Sequence, residues 1–309
     1  MRPHSTLARL QRFTTIGLLL AAFAWLAWWW GAAPLLGLFG FVAILTGYAG
    51  FLGAEFILLR SVGRDKAAPV PTCVELARAW GGEVLDAPRV FCWRQPFRWN
   101  TEPDWLDATG RRGVVLVHGF VCNRGFWTPW LARLRRAGHP FIAVNLEPVF
   151  GSIDRYAPII EDAVQRVTGA TGLAPLIVCH SMGGLAARAW MRSHGGDGRV
   201  HHLVTIGSPH RGTWLGRFSQ FANGRQMQLG SRWLQDMPPQ PSGTPATCWY
   251  SNCDNIVFPV SSATLPGADN RLVRGVAHVH LAFQPQVLAH TLALLEQGEF
   301  RTTNRERNS

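Results

Sequence analysis

The chain has 309 residues, 47% of them hydrophobic, and a net charge of +11 from 30 Lys and Arg against 19 Asp and Glu. That length accommodates one large α/β domain with an appendage. The basic excess is scattered arginine with no interleaved aromatic stripe, which argues against a nucleic-acid-binding chain and suits a surface facing anionic lipid.

Residues 1–60 read as an amino-terminal anchor. After Arg2, Arg9 and Arg12, residues 13–33 are almost wholly apolar and end in Trp28-Trp29-Trp30. Pro34 breaks the run, and residues 35–59 are again apolar, with Glu55 their one charge. Each stretch reaches the roughly 20 residues that span a bilayer. The short break makes them a helical hairpin, with the tryptophans at headgroup level. A cleaved signal peptide fits less well, because Pro34 would follow the cut and a second apolar stretch comes straight after. Arg2, Arg9 and Arg12 before the hairpin, and Arg60, Arg64 and Lys66 after it, put both ends on the cytoplasmic side of a multi-pass membrane protein.

Residues 61–111 form a linker with an early helix over 73–80, capped by Thr72 and ended by Gly81-Gly82, and a strand over 90–93. From 112 to 298 the pattern is regular. Strands are expected over 114–117, 141–144, 176–178 and 200–206, alternating with helices over 126–137, 156–167 and 185–191. Short loops between them predict a mostly parallel sheet covered on both faces, with functional groups at the carboxyl ends of its strands. Residues 299–309 are a tail.

The strand over 176–178 leads into Cys179-His180-Ser181-Met182-Gly183 and then a helix. That is the setting of a nucleophile elbow, with Cys179 where the G-x-S-x-G pattern has glycine. A serine hydroxyl needs a base, and the base needs an acid to hold its tautomer. The acids downstream are Asp197, Asp236, Asp254, Asp269, Glu296, Glu299 and Glu306. Asp254 follows a strand rich in β-formers, Asp269 looks like a turn residue, and Asp236 falls in an insertion described below. Among the late histidines, His278 follows a strand over 272–276 and is the chosen base. His280 is its rival and, in an extended segment, would point the opposite way. His290 falls in the last helix. The N–H groups of Phe120, after His118-Gly119, and of Met182 are placed to receive an oxyanion.

Between the strand over 200–206 and Asp254, residues 213–240 carry Trp214, Phe218 and Phe221 at helical spacing, then Leu229, Trp233, Leu234 and Met237. They read as an amphipathic lid over a hydrophobic substrate, either mobile or fixed. The six cysteines match no zinc spacing, with Cys179 expected as a buried thiol and Cys248–Cys253 the one pair left open. His194, His201 and His202 lack a carboxylate or cysteine at ligand spacing, so neither metal nor cofactor is expected.

Taken together, Leu116-Val117-His118-Gly119-Phe120, His180-Ser181-Met182-Gly183-Gly184, Ile206-Gly207-Ser208-Pro209-His210-Arg211-Gly212-Thr213 and the segments around Asp254 and His278 resemble the α/β-hydrolase superfamily, in its bacterial lipase and esterase branch. The resemblance implies an α/β-hydrolase fold, with Ser181 as nucleophile, Asp254 as acid, His278 as base, and Phe120 and Met182 as oxyanion donors. It implies a serine hydrolase cleaving carboxylic esters of hydrophobic acyl chains, lipid among them. Acyl transfer would use the same groups, and a catalytically idle membrane interaction module is the reading from another class. All these residues follow Arg112, so cleavage of a soluble ester is expected to survive removal of residues 1–60.

Overall fold

A computed structural model describes residues 5–297 except 64, 108, 197 and 239–242. The tail over 299–309, Arg2 and Arg64 of the hairpin's flanks, the end of the insertion at 239–240, and the acids Asp197, Glu299 and Glu306 lie outside the described residues.

The chain opens with helices α1 (Thr6–Trp29) and α2 (Pro34–Val62), both long and apolar enough to cross a membrane. They pair as a hairpin: the Trp25 indole N–H donates to Leu36 O at 3.2 Å, and the Phe23 and Phe41 rings lie 5.2 Å apart. Their outer faces expose Phe13, Leu20, Trp28, Leu35, Phe39 and Phe51. So large an apolar surface is not stable against water.

Helix α3 (Cys73–Pro88) begins with a capping box between Thr72 and Glu75. It runs through Gly81-Gly82 instead of ending there. Gly82 serves close packing, because a Cβ there would run into the His280 imidazole. The helix continues through a π-helical stretch, Arg89–Arg94, into the short α4 (Gln95–Phe97). The strand expected over 90–93 is therefore helical. Four β-forming residues without a partner strand are carried along by the helix they extend.

The sheet has six strands, β1 (Val114–Val117), β2 (Phe141–Ala143), β3 (Leu176–His180), β4 (His202–Ile206), β5 (Ala246–Ser251) and β6 (Asp269–Val273). Their order is β2-β1-β3-β4-β5-β6, and all neighbours are parallel. The inner strands are buried on both faces, which is why they read as unbroken apolar runs. Asp269, expected in a turn, starts β6, and the strand expected over 272–276 ends at Val273. Gly275, at φ +70°, turns the chain there.

Helices α5 (Thr128–Ala137), α6 (Ala157–Thr171) and α7 (Met182–His194) cover the sheet. Among the described residues the insertion holds a 3-10 stretch, Trp214–Phe218, and the single-turn helices α8 (Ala222–Gln226) and α9 (Arg232–Gln235). The helical spacing expected there does not continue: Ser219 and Phe221 are extended and end the first stretch, and Gly230, at φ +70°, separates α8 from α9. Helices α10 (His278–Leu281) and α11 (Pro285–Glu296) close the chain. Helices α5 and α11 pack one face of the sheet, α6 and α7 the other.

The outer ends of the hairpin, the start of α1 and the end of α2, dock on this domain. Leu7 and Ala8 of α1 are buried, Thr6 N–H donates to Glu147 Oε1 at 2.7 Å, and Arg12 reaches Pro96 O at 3.0 Å. At the other end, Phe56 and Leu59 of α2 form a small core with Ala79, Phe258 and Ala277.

Candidate active site

Ser181 occupies the turn from β3 to α7 at φ +54° and ψ −127°. A non-glycine residue there is strained, and the strain lifts the side chain away from the sheet. The conformation holds because the crossing is tight. Ser181 N–H donates to Ile206 O of β4 at 2.9 Å, and a Cβ on Gly183 would lie 2.8 Å from His118 O. Cys179 is fully buried as a free thiol, and burial holds its pKa well above the ordinary value. Cys248 and Cys253 are also free thiols.

The loop after β1 comes up beside the serine, and a Cβ on Gly119 would lie 2.7 Å from Ser181 Cβ. Among the described residues, neither the Phe120 N–H nor the Met182 N–H meets a protein acceptor. His118 braces this loop: its Nδ1–H donates to Gly119 O at 2.9 Å and its Nε2 accepts from Leu146 N–H at 3.0 Å. Burial lowers its pKa to about 4, so the ring is neutral and both bonds keep this sense. Val121, at φ +53°, follows, and its carbonyl accepts from Gln11 of α1 at 3.4 Å.

The ends of β5 and β6 bring Asp254 and His278 together. His278 Nδ1 lies 2.9 Å from Asp254 Oδ2, and both side chains are buried. The other carboxylate oxygen, Oδ1, accepts the Ile256 and Val257 N–H groups at 3.0 and 2.8 Å. Burial works against the charged imidazolium of His278, but the charge and hydrogen bond of Asp254, with Glu83 and Glu55 nearby, outweigh it and raise the pKa above the ordinary 6.5. His280 stands apart: its amide is bound by Glu83, and its Nε2 lies 3.9 Å from Asp86. The two histidines face opposite ways as expected, but on the turn of α10 rather than in an extended segment. Positions two apart on a helix are about 200° apart.

His180, just before the serine, links the two halves. Its Nε2–H donates to His278 O at 3.2 Å and its ring centre lies 4.6 Å from that of His278. Burial keeps its pKa well below the ordinary value. Glu83, Asn255 and His180 were given no role from sequence; each acts on backbone atoms far along the chain, which leaves no spacing pattern to find.

Trp214 packs its ring 6.0 Å from Phe258, and Arg217 lies 4.3 Å over it. Phe218 and Phe221 are exposed at 63% and 45%. Phe221 stacks on Phe150 at 4.1 Å, and Phe150 meets Phe120 edge-on at 5.9 Å, so an aromatic row joins the insertion to the loop beside Ser181. Beyond Phe150 a cavity of about 680 Å³ is lined by Leu7, Leu10, Pro148, Val149 and Arg155.

Comparison with known proteins agrees with this architecture. Residues 114–296 match the alpha/beta hydrolase family. Among solved structures, mature Bacillus licheniformis lipase BlEst2 is similar at 15% identity and TM-score 0.54, covering 60% of this chain and 92% of that one. Aspergillus fumigatus lipase B is similar at 15% identity and TM-score 0.54, covering 93% of this chain and 80% of that one. At such identity the likeness is one of fold. The match over most of the chain, on a parallel sheet with a strained serine between β3 and α7, makes this protein a member of the alpha/beta hydrolase family.

Proposed function

We propose that the protein is a membrane-anchored serine hydrolase that cleaves carboxylic esters of hydrophobic acyl chains. The observation that carries the reading is Ser181 at φ +54° in the elbow, with the buried Asp254–His278 pair at neighbouring strand ends. Ser181 Oγ attacks the ester carbonyl while His278 Nε2 takes its proton. The developing oxyanion is received by the Phe120 and Met182 N–H groups. The carbonyl–oxygen bond to the alcohol then breaks, and His278 returns the proton to the leaving alcohol. Water, activated by the same imidazole, releases the acid from the acyl-enzyme. Asp254 fixes the tautomer with Nε2 free and stabilises the transient imidazolium. These steps ask nothing of a metal or cofactor. No hydrogen bond joins Ser181 to His278 in the structure; catalytic contacts of this kind commonly tighten in the Michaelis complex.

The apolar faces of α1 and α2 support anchoring in a bilayer. Arg9, Arg12, Arg60 and Lys66 at the hairpin's outer ends then favour a cytoplasmic catalytic domain. The cavity beside Phe150 suits an acyl chain, because α1 supplies one wall and leads toward the bilayer. Trp214, Phe218 and Phe221 are the lid surface in this reading. Ser181→Ala is expected to leave a folded protein whose turnover of a soluble ester falls by several orders of magnitude, on the order of the loss when a triad member is removed. Near-normal turnover would end the serine-hydrolase reading. A periplasm-active reporter fused after Ser309 is expected to be silent; a strongly active fusion would reverse the orientation.

A further inference from the structure

We propose that Glu83 and Glu55, the latter through Asn255, are positioning residues for His278, so that segments ahead of the hydrolase core complete the active site. The proposal rests on the reading of His278 as the base.

Three successive backbone N–H groups open α10, and a side chain meets each. His278 N–H donates to Asn255 Oδ1 at 3.1 Å. Val279 N–H donates to Glu83 Oε1 at 3.1 Å, and His280 N–H to Glu83 Oε2 at 3.2 Å. Asn255 Nδ2 in turn donates to Glu55 Oε2 of α2 at 2.6 Å. On its other side, His278 C=O accepts from His180. The backbone of the base is thus gripped from α2, α3 and β3, while its imidazole is held by Asp254.

Both carboxylates are buried beside the base's segment. Glu83 and Glu55 are 2% and 7% exposed, and Asn255 is fully buried. Among the described residues, neither carboxylate lies within ion-pair distance of a Lys or Arg. Burying an acid without a cation is unfavourable, and hydrogen bonds to the base's own segment offset that cost. Helix α10 has only four residues, too few to hold itself in place. Its N-terminal N–H groups need partners from elsewhere: Glu83, ahead of the family's core, accepts two of them, and Asn255, itself held by Glu55, accepts the third. A reacting group displaced by about 1 Å can lose about a hundredfold in rate, so this grip acts on kcat.

The test uses the full chain in detergent micelles and a soluble short-chain ester, with kcat and KM measured separately and folding checked by thermal melts. Glu83→Ala and Glu55→Ala are each expected to lower kcat about ten- to a hundredfold with KM nearly unchanged. Glu55→Gln keeps an oxygen for Asn255 and is expected to lose far less kcat than Glu55→Ala. Asn255→Asp sets a second carboxylate against Glu55 and is expected to lower kcat. Adding Glu55→Gln to Asn255→Asp restores the bond with donor and acceptor exchanged, and is expected to recover most of the loss. This rescue also answers the case in which an alanine variant fails to fold. Wild-type kcat in the folded alanine variants, or absence of rescue in the pair, would overturn the proposal. His278→Ala is the control: an inactive protein there beside fully active Glu83 and Glu55 variants refutes positioning alone, whereas an active one refutes the base itself.

Discussion

Among the described residues, two other than glycine have positive φ, Val121 and Ser181, and they lie in the two loops that meet at the site. Each such conformation costs about 1–3 kcal/mol and persists only where its surroundings enforce it. The Asp254–His278 pair has a consequence for pH. His278 must be neutral to act as base, and its pKa is raised, so activity should rise with pH through a limb above the ordinary 6.5. Asp254→Asn removes the charge that most opposes desolvation. The limb of kcat/KM should then move to lower pH while kcat falls by about 10⁴-fold, as loss of the orienting acid does in serine proteases. An unmoved limb in the pH profile would count against the pairing. His280→Ala should cost less than about tenfold, because a group that only braces a loop contributes little to proton transfer. Ser181, Asp254 and His278 could be nominated from the sequence because candidate groups in this fold lie at or past the carboxyl ends of strands: Ser181 directly after β3, Asp254 and His278 in the loops past β5 and β6. Glu83 and Asn255 could not, since a side chain bonded to a remote amide carries no local signature.

At the scale of elements, the central strands were legible because burial on both faces makes them apolar throughout. The failures came where a short pattern suited two structures. Val90-Phe91-Cys92-Trp93 has β-forming residues, yet it continues α3 as a π-helical stretch. Trp214, Phe218 and Phe221 have helical spacing, yet Trp214 and Phe218 share one 3-10 stretch and Phe221 precedes α8, with extended backbone at Ser219 and at Phe221 itself. The insertion nevertheless exposes the apolar side chains that a lipid surface would meet. Replacing Phe218 and Phe221 together by serine should lower hydrolysis of a long-chain ester presented in vesicles several-fold, while kcat on a soluble short-chain ester stays near wild type. Equal loss on both substrates would show that the insertion only supports the fold. Vesicle-specific loss agrees with a surface that engages lipid.

For the whole molecule, the hairpin touches the catalytic domain close to the candidate site. From sequence alone, residues 1–60 are dispensable for cleaving a soluble ester, because every candidate catalytic residue follows Arg112. The structure changes that expectation. Gln11 of α1 reaches the loop of Phe120 and Val121, and Glu55 of α2 reaches the segment of Asp254 and His278. A chain lacking residues 1–60 should therefore lose most of its kcat on a soluble ester; full activity in that truncated protein would restore the simpler picture of anchor and enzyme. The docking was not legible because it depends on where each helix ends against the domain, which hydropathy does not report. The assignment of Ser181 as the nucleophile of a membrane-bound hydrolase is open to one direct measurement: label the full-length protein in isolated membranes with a fluorophosphonate and map the modified peptide by mass spectrometry. One adduct is expected, on Ser181, lost in Ser181→Ala and strongly slowed in His278→Ala. An unlabelled Ser181 in folded protein, or labelling that persists in Ser181→Ala, would contradict it.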